Sequence, residues 1–418
     1  MKYTGYDMNA YNLHVINTDK FKTVTVGIAF RRKIVKEEIT MRNLLKEVMI
    51  NSSADYPTEK DLIIETENLY DLKLSSMNYR VGNYAILSFK IRFLNEKYTE
   101  MGMNKESIKF LLDLIFRPNL GNDLEKCKNR LRKSIELLGD NKIKYTLFKL
   151  LETTGSMSYA YNSYGYVDEV DKINFDELNN YYDDVIKNDL VDVYVVGDVC
   201  ASDIKNIFKE YFKLNTFHKQ ETDVIVGELT NLKQIKKYYE KSQVNQSQLT
   251  ILCNINGLTD YERKYVLPLY GEMLGGSANS ILFDSVREKN SYAYYVNAIV
   301  KSYDNIMMIY SGIEKGNEEN VLKLIKKGLK NISKGNYPKE KFLSAKETLI
   351  SAIKVNMDNP MGIISSYYAK VLVNSLDAEE RIKMLERVTD QDIVNVSKKI
   401  SIHTIYILEG EDEKDNDK

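Results

Sequence analysis

The chain has 418 residues, with 59 Lys and Arg against 60 Asp and Glu, and only three histidines. This length suits two or more domains, and 43% hydrophobic content can fill a core in each, which excludes disorder as the dominant state. The balanced charge, with no clustered basic block in the sequence, speaks against nucleic acid or an acidic membrane as a partner held by bulk electrostatics.

In chain order, the first strand alternates: Val24, Val26, Ile28 and Phe30 point one way, and Thr23, Thr25 and Ala29 the other, as a half-covered sheet requires. A helix follows over Met41–Ile50, with Met41, Leu44, Leu45 and Val48 as its core stripe and Asn43, Lys46 and Glu47 together on the other face. The alternating segment Tyr84–Phe89 predicts a strand, and Asn104 caps a helix carrying Ile108, Leu111, Leu112 and Ile115. Pro118 marks a turn, a long amphipathic helix stops at Asp140-Asn141-Lys142, the capping box Asn174-Phe175-Asp176-Glu177 opens another helix, and Val193–Val196 returns as strand.

The second half repeats these landmarks in the same order. Asn305–Tyr310 predicts a strand and Asn317 starts a helix with Val321, Leu324 and Ile325. Pro338 lies 220 residues after Pro118, and the stop at Asp358-Asn359-Pro360 lies 218 after the first. The box Thr389-Asp390-Gln391-Asp392 follows its counterpart by 215, and the strand Ile405–Leu408 by 212. The expected fold is therefore α+β: two homologous domains, each a mainly antiparallel sheet with helices packed on one face. Residues 1–214 form the first domain, 215–235 a polar linker, 236–408 the second domain and 409–418 an acidic tail.

Cys127, Cys200 and Cys253 are odd in number, far apart and without a CxxC pair. They read as buried free thiols in a reducing compartment, not as a disulfide framework or a structural zinc site. The segment Met1–Asp7 lacks the layout of a signal peptide, and no apolar run approaches the ~18 residues of a membrane span, which predicts a cytoplasmic protein.

The most specific motif runs from Leu274-Gly275-Gly276-Ser277 through Ser280-Ile281-Leu282-Phe283 and Val286-Arg287-Glu288-Lys289 to Ala293-Tyr294-Tyr295-Val296. A phosphate-loop reading of Gly275-Gly276 fails, because no Gly-Lys-Ser/Thr follows and the preceding Leu267–Leu274 reads as helix. With the paired domains, this run resembles the pitrilysin/insulinase-type zinc peptidases with the inverted HxxEH motif, and the resemblance spans nearly the whole chain. Its implications divide by domain.

In the first domain, counting back from Tyr56-Pro57 places Asn43, Lys46 and Glu47 at the three functional positions of HxxEH, so both zinc-binding imidazoles are absent. Registering on Asp140 places the third ligand position near Ser134 or Glu136. Catalytic zinc needs three protein ligands and an open position for water, and a lysine at the general-base position sets a cation beside the would-be dication. The histidines offer no substitute: His14, His218 and His403 lie 204 and 185 residues apart, with no helical ligand spacing.

In the second domain the family's substrate-holding pair maps to Arg287 and Tyr294, and Gly275 and Gly276 to its substrate-contacting loop. A guanidinium forks onto peptide carbonyls or a carboxylate, and a phenol donates to a developing oxyanion. The segment Lys73–Asn78 corresponds to the family's substrate-pairing edge strand, to which an extended peptide adds through backbone bonds.

The resemblance implies a noncatalytic subunit, like the inactive elongation factor P modification-associated and processing-peptidase-like chains. It would bind an extended peptide and supply Arg287 and Tyr294 in trans to a zinc-bearing paralogous partner, with no metal of its own. The alternative is a catalytically silent assembly or peptide-binding protein, such as a homodimer, in which Arg287 only pairs with an acidic neighbour and Tyr294 only packs. A self-sufficient hydrolase would need one equivalent of zinc.

Overall fold

The computed structural model describes residues 1–155, 157–214, 224–230, 232–242 and 246–410. β1 (Lys2–Asp7), β2 (Asn12–Asn17) and β3 (Thr23–Lys33) lead to α1 (Ile39–Met49) and α2 (Glu59–Asn68), then to the hairpin of β4 (Lys73–Val81) and β5 (Tyr84–Leu94). Five helices follow: α3 (Met103–Phe116), α4 (Leu124–Glu136), α5 (Lys142–Glu152), α6 (Val167–Val170) and α7 (Phe175–Asn188). β6 (Leu190–Gly197) and α8 (Ala201–Tyr211) close the first half. The second half begins with β7 (Lys236–Ser242) and β8 (Ser247–Ile255) and continues with α9 (Leu267–Gly271), which is flanked by π-helical turns Glu262–Val266 and Glu272–Gly276. A third π-helical turn, Phe283–Glu288, precedes β9 (Ala293–Lys301) and β10 (Ile306–Ile313). The last elements are α10 (Glu318–Ser333), α11 (Lys339–Asn356), α12 (Pro360–Val373), α13 (Ala378–Arg387), α14 (Asp390–Ser397) and β11 (Ile400–Gly410).

The two sheets have the orders β1-β2-β6-β3-β5-β4 and β7-β11-β8-β10-β9. β2 is parallel to β6 and β7 is parallel to β11, and every other neighbouring pair is antiparallel. Strand for strand, the second sheet repeats the first without β1, so the internal repeat and the α+β class are present as expected. Both predicted capping boxes form, Asn174 with Glu177 and Thr389 with Asp392. Asn141 and Asn359 cap the helices that follow the two predicted stops. Asn104 does not cap α3: Gly102, with φ of +98°, holds that place, and the Asn104 carboxamide accepts from the Glu96 amide.

The chain divides into two compact units that do not follow a single cut. One takes Met1–Leu137, Asn162–Val224 and Val355–Ser375, and the other Leu138–Tyr161, Ile225–Lys354 and the chain from Leu376. Each unit therefore contains one helix of the opposite repeat, α12 in the first and α5 in the second. These two helices occupy equivalent repeat positions.

In the first unit, Val24, Val26, Ile28 and Phe30 face the core formed with the repeat's own helices. The opposite side is not open to water, as the alternation suggested: Ala29, Ile86 and Val196 pack there under Ile363, Ile364, Tyr368 and Leu372 of α12. In the second unit α5 covers Leu252, Ile306, Met308 and Tyr406 in the same way through Leu150.

Within the expected linker, 215–223 and 231 lie outside the described residues, as does 411–418 of the tail. Val226 and Leu229 are buried, and the Val226 amide donates to the Tyr303 carbonyl. Among the described residues, no helix is long and apolar enough to cross a membrane. The unclustered charge expected from the sequence needs one correction. Lys323, Lys326, Lys327 and Lys330 are all exposed on α10, with no ion pair among the described residues.

Candidate functional site

In the second unit the motif residues are placed by a helix, a turn and an edge strand. The helical run containing α9 ends where Gly275 leaves helical geometry, at φ −160° and ψ 22°. A Cβ at Gly275 would lie 2.7 Å from the Ala298 amide nitrogen and 2.9 Å from the Ala298 Cβ. The glycine is thus required by the close approach of this turn to β9, the edge of the second sheet. A Cβ at Gly276 would lie 2.1 Å from the Glu272 carboxylate.

Arg287 stands in the turn Phe283–Glu288, its guanidinium 4.9 Å from the Phe283 ring centroid. Its nearest carboxylate partner is Glu288 at 4.0 Å, and its side chain is 47% exposed. The turn is tied to the strand by the Tyr292 amide, which donates to the Val286 carbonyl. Tyr294 follows on β9, 52% exposed, and its hydroxyl has no hydrogen-bond partner among the described residues. The next tyrosine behaves oppositely: the Tyr295 hydroxyl donates to Gln248, and its ring packs near Tyr310. Arg287 thus pairs with its neighbour Glu288 and stacks on Phe283, while the Tyr294 hydroxyl faces solvent.

The corresponding helix of the first unit is committed instead. Arg42 anchors α1 to its sheet by donating to the Phe30 carbonyl and to Asp189, which also receives a bond from Arg32. Asn43, expected on the outward face, is buried: its amide donates to the carbonyls of Ile39 and Ser163, both at 2.9 Å. Asn78 of edge strand β4 donates to the Asn43 carboxamide oxygen at 3.2 Å and to the Arg42 carbonyl at 2.9 Å. Lys46 and Glu47 are half-buried and pair with each other at 2.8 Å.

Glu47 lies within electrostatic reach of Cys127 and Arg130 on α4. Ser134 and Glu136, the positions expected for a third ligand, are exposed in the last turn of that helix, where the Ser134 hydroxyl bonds the Arg130 carbonyl. Arg130 bonds Asn51 and Glu59, and Glu59 also holds Lys126.

These donors do not suit zinc. The Asn43 amide is spent on backbone carbonyls, Lys46 brings a positive charge, and no group of three or more His, Cys, Asp or Glu residues is gathered among the described residues. Asn78 and Arg42 were invisible to motif reading because their roles depend on strand β4 and loop 163 meeting α1.

Of the described histidines and the cysteines, Cys127 lies near Glu47 and the others fall away from both places. His14 is buried, sharing a hydrogen bond with the Tyr3 hydroxyl at 2.8 Å and stacking on Tyr194. His403 bonds Thr404 inside β11, where burial lowers its pKa, and His218 lies outside the described residues. Cys127 and Cys253 are buried, and burial pushes their thiols up to about 11 and about 12. Cys200 corrects the expectation of three buried thiols: it is exposed before α8, and the Ser202 hydroxyl and nearby backbone amides lower its pKa.

Residues 172–349 match the family model described as the peptidase M16 inactive domain. Over 413 residues the chain is 27% identical to the Bacillus subtilis (strain 168) protein named probable inactive metalloprotease YmfF, covering 95% of each. A conserved protein of Enterococcus faecalis V583 has a crystal structure that superposes with a TM-score of 0.92 at 26% identity, over 99% of this chain and 100% of that one. The peptidase M16 inactive domain from Pseudomonas fluorescens superposes with a TM-score of 0.79 at 16% identity, over 99% and 98%, a likeness of fold alone.

Proposed function

We propose that this chain, which belongs to the pitrilysin/insulinase-type (M16) peptidases as an inactive homologue, is the noncatalytic, peptide-binding subunit of a two-chain peptidase. A paralogous partner carrying HxxEH would supply the catalytic centre and its zinc. This chain would supply Arg287 and Tyr294, and Gly275 and Gly276 would let a peptide backbone come close. A coarser statement, that the chain is a noncatalytic member of its family, does not depend on the partner.

The contrast between the two units carries the reading. Asn43, Lys46 and Glu47 are used up in internal bonds, whereas Arg287, held only by Glu288 at 4.0 Å and the Phe283 ring, and the hydroxyl of Tyr294 are exposed to solvent. In a complex, the guanidinium would hold a substrate carbonyl in its planar fork. The Tyr294 phenol would donate to the oxyanion as the carbonyl becomes tetrahedral, a bond stronger in the transition state than in the ground state.

The test mixes the purified chain with the HxxEH-bearing paralogue of the same organism and follows cleavage of a fluorogenic peptide library. Activity should require both chains. Arg287→Ala or Tyr294→Phe should lower turnover by about 10²-fold while leaving the complex assembled, the scale expected for one lost oxyanion donor. Unchanged turnover in both variants would sink the trans-site role and leave an assembly function.

A further inference from the structure

A polar cleft of about 780 Å³ opens in the first unit, between the loop that leads from β5 into α3 and the loop that leads from β6 into α8. That volume falls within the ~300–1,000 Å³ of small-molecule sites. Its lining carries four carboxylates, Glu96, Asp198, Asp203 and Glu210, against the two lysines Lys97 and Lys105. Lys97 pairs with Asp198 and Lys105 with Glu210, and Glu96 accepts from the Gly102 and Asn104 amides. Asp203 is left without an ion pair among the described residues.

Two further groups of the lining are open to a ligand. Asn104 is only 8% exposed; its carboxamide oxygen accepts from the Glu96 amide, whereas its amide nitrogen has no hydrogen-bond partner among the described residues. A desolvated donor left unmade is costly, and an accepting ligand would recover that cost. The Cys200 thiol is exposed just before α8, 3.0 Å from the Ser202 hydroxyl. That hydroxyl, with the Asp203 and Ser202 amides, lowers its pKa and favours the nucleophilic thiolate.

We propose that this cleft is a modification site at which Cys200 forms a mixed disulfide with low-molecular-weight disulfides of the amino-acid type. The Asn104 amide donates to the ligand's carboxylate, and Asp203 faces its ammonium. The surplus of carboxylates disfavours a ligand that carries negative charge alone. The Cys200 thiolate attacks one sulfur of the disulfide, so a new S–S bond forms, the ligand's own S–S bond breaks, and the other half departs as a thiolate. The proton of Cys200 passes to water and the departing thiolate takes one up. Cys200 is oxidised, one ligand sulfur is reduced, and excess thiol reverses the step. This site does not depend on the peptide-binding function proposed above.

The test incubates the full chain with cystine, with neutral hydroxyethyl disulfide or with dianionic dithiodiglycolate. Intact mass follows the adduct and peptide mapping locates it. Each rate is divided by that of N-acetylcysteine amide with the same reagent, which removes the reagent's intrinsic reactivity. One adduct should form, on Cys200, while buried Cys127 and Cys253 stay unmodified. The normalised rate with cystine should exceed the other two by at least about tenfold, the scale of one charge-assisted hydrogen bond. Asn104→Asp keeps the acceptor for the Glu96 amide and replaces the donor by a negative charge. It should erase the preference for cystine and leave the hydroxyethyl rate unchanged. Asp203→Asn, at an exposed position, should also weaken the preference, and it decides the matter if Asn104→Asp does not fold. Equal normalised rates would mark a merely exposed thiol and overturn the proposal. A preference that survives in a folded variant, or an adduct on another cysteine, would overturn it too.

Discussion

At the scale of single residues, buried charge in the first unit is held by dense pairing. Asp192, fully buried on β6, accepts from Asn12 at 3.0 Å, pairs with Arg31 at 3.0 Å and lies 3.5 Å from His14. Burial alone would raise its pKa. The nearby His14 ring, the charge of Arg31 and the hydrogen bond from Asn12 outweigh burial and hold the carboxyl below its usual range. The unfolded chain therefore takes up this proton at a higher pH than the folded one does. The contribution is complete above about pH 4 and is lost as pH falls through the depressed folded value. Asp192→Asn would leave Arg31 buried without its counter-charge. It should cost about 3–5 kcal/mol at pH 7 in urea unfolding, and should flatten the loss of stability below about pH 4.

Elements repeat this economy. β4 and β9 are the equivalent edges of the two sheets, and each meets a helix of its own repeat: β4 through Asn78 on α1, and β9 through the Gly275 turn. In the first unit the contact is a set of hydrogen bonds from Asn78 to the Asn43 carboxamide and the Arg42 carbonyl. In the second it is a backbone approach that only glycine permits. Gly275→Ala should force that turn off the strand, costing about 1–3 kcal/mol, and thermal unfolding should show the loss. Gly257, at φ +70° with open space around it, loses less because only local strain opposes a side chain there.

For the whole molecule, the exchange of α5 and α12 makes the halves interdependent. Ile363, Ile364, Tyr368 and Leu372 are all buried against the first sheet, each stabilising by about 2 kcal/mol. Residues 1–214 expressed alone would leave that face bare, and residues 224–418 alone would leave the second sheet without α5. Each half by itself should aggregate or bind a hydrophobic dye. Coexpressed halves should copurify and show a cooperative melt. An independently folded, monomeric 1–214 fragment would contradict this dependence.

The repeat, the α+β class and both capping boxes were legible in the sequence, because capping, alternation and spacing are local patterns written along one stretch of chain. That α1 carries Asn43 and Glu47, with no histidine, was legible too. Four things were decided only by tertiary structure. Asn43 became a buried tie because loop 163 and Asn78 converge on it. The second face of each sheet was covered by a helix from the other repeat, which no periodicity encodes. Tyr294 was separated from Tyr295 by exposure, and the Oε1 of part-buried Glu272 was left without a hydrogen-bond partner beside Gly276. Local propensity fixes which elements form, whereas partners remote in sequence decide which polar groups are satisfied and which remain open for another molecule.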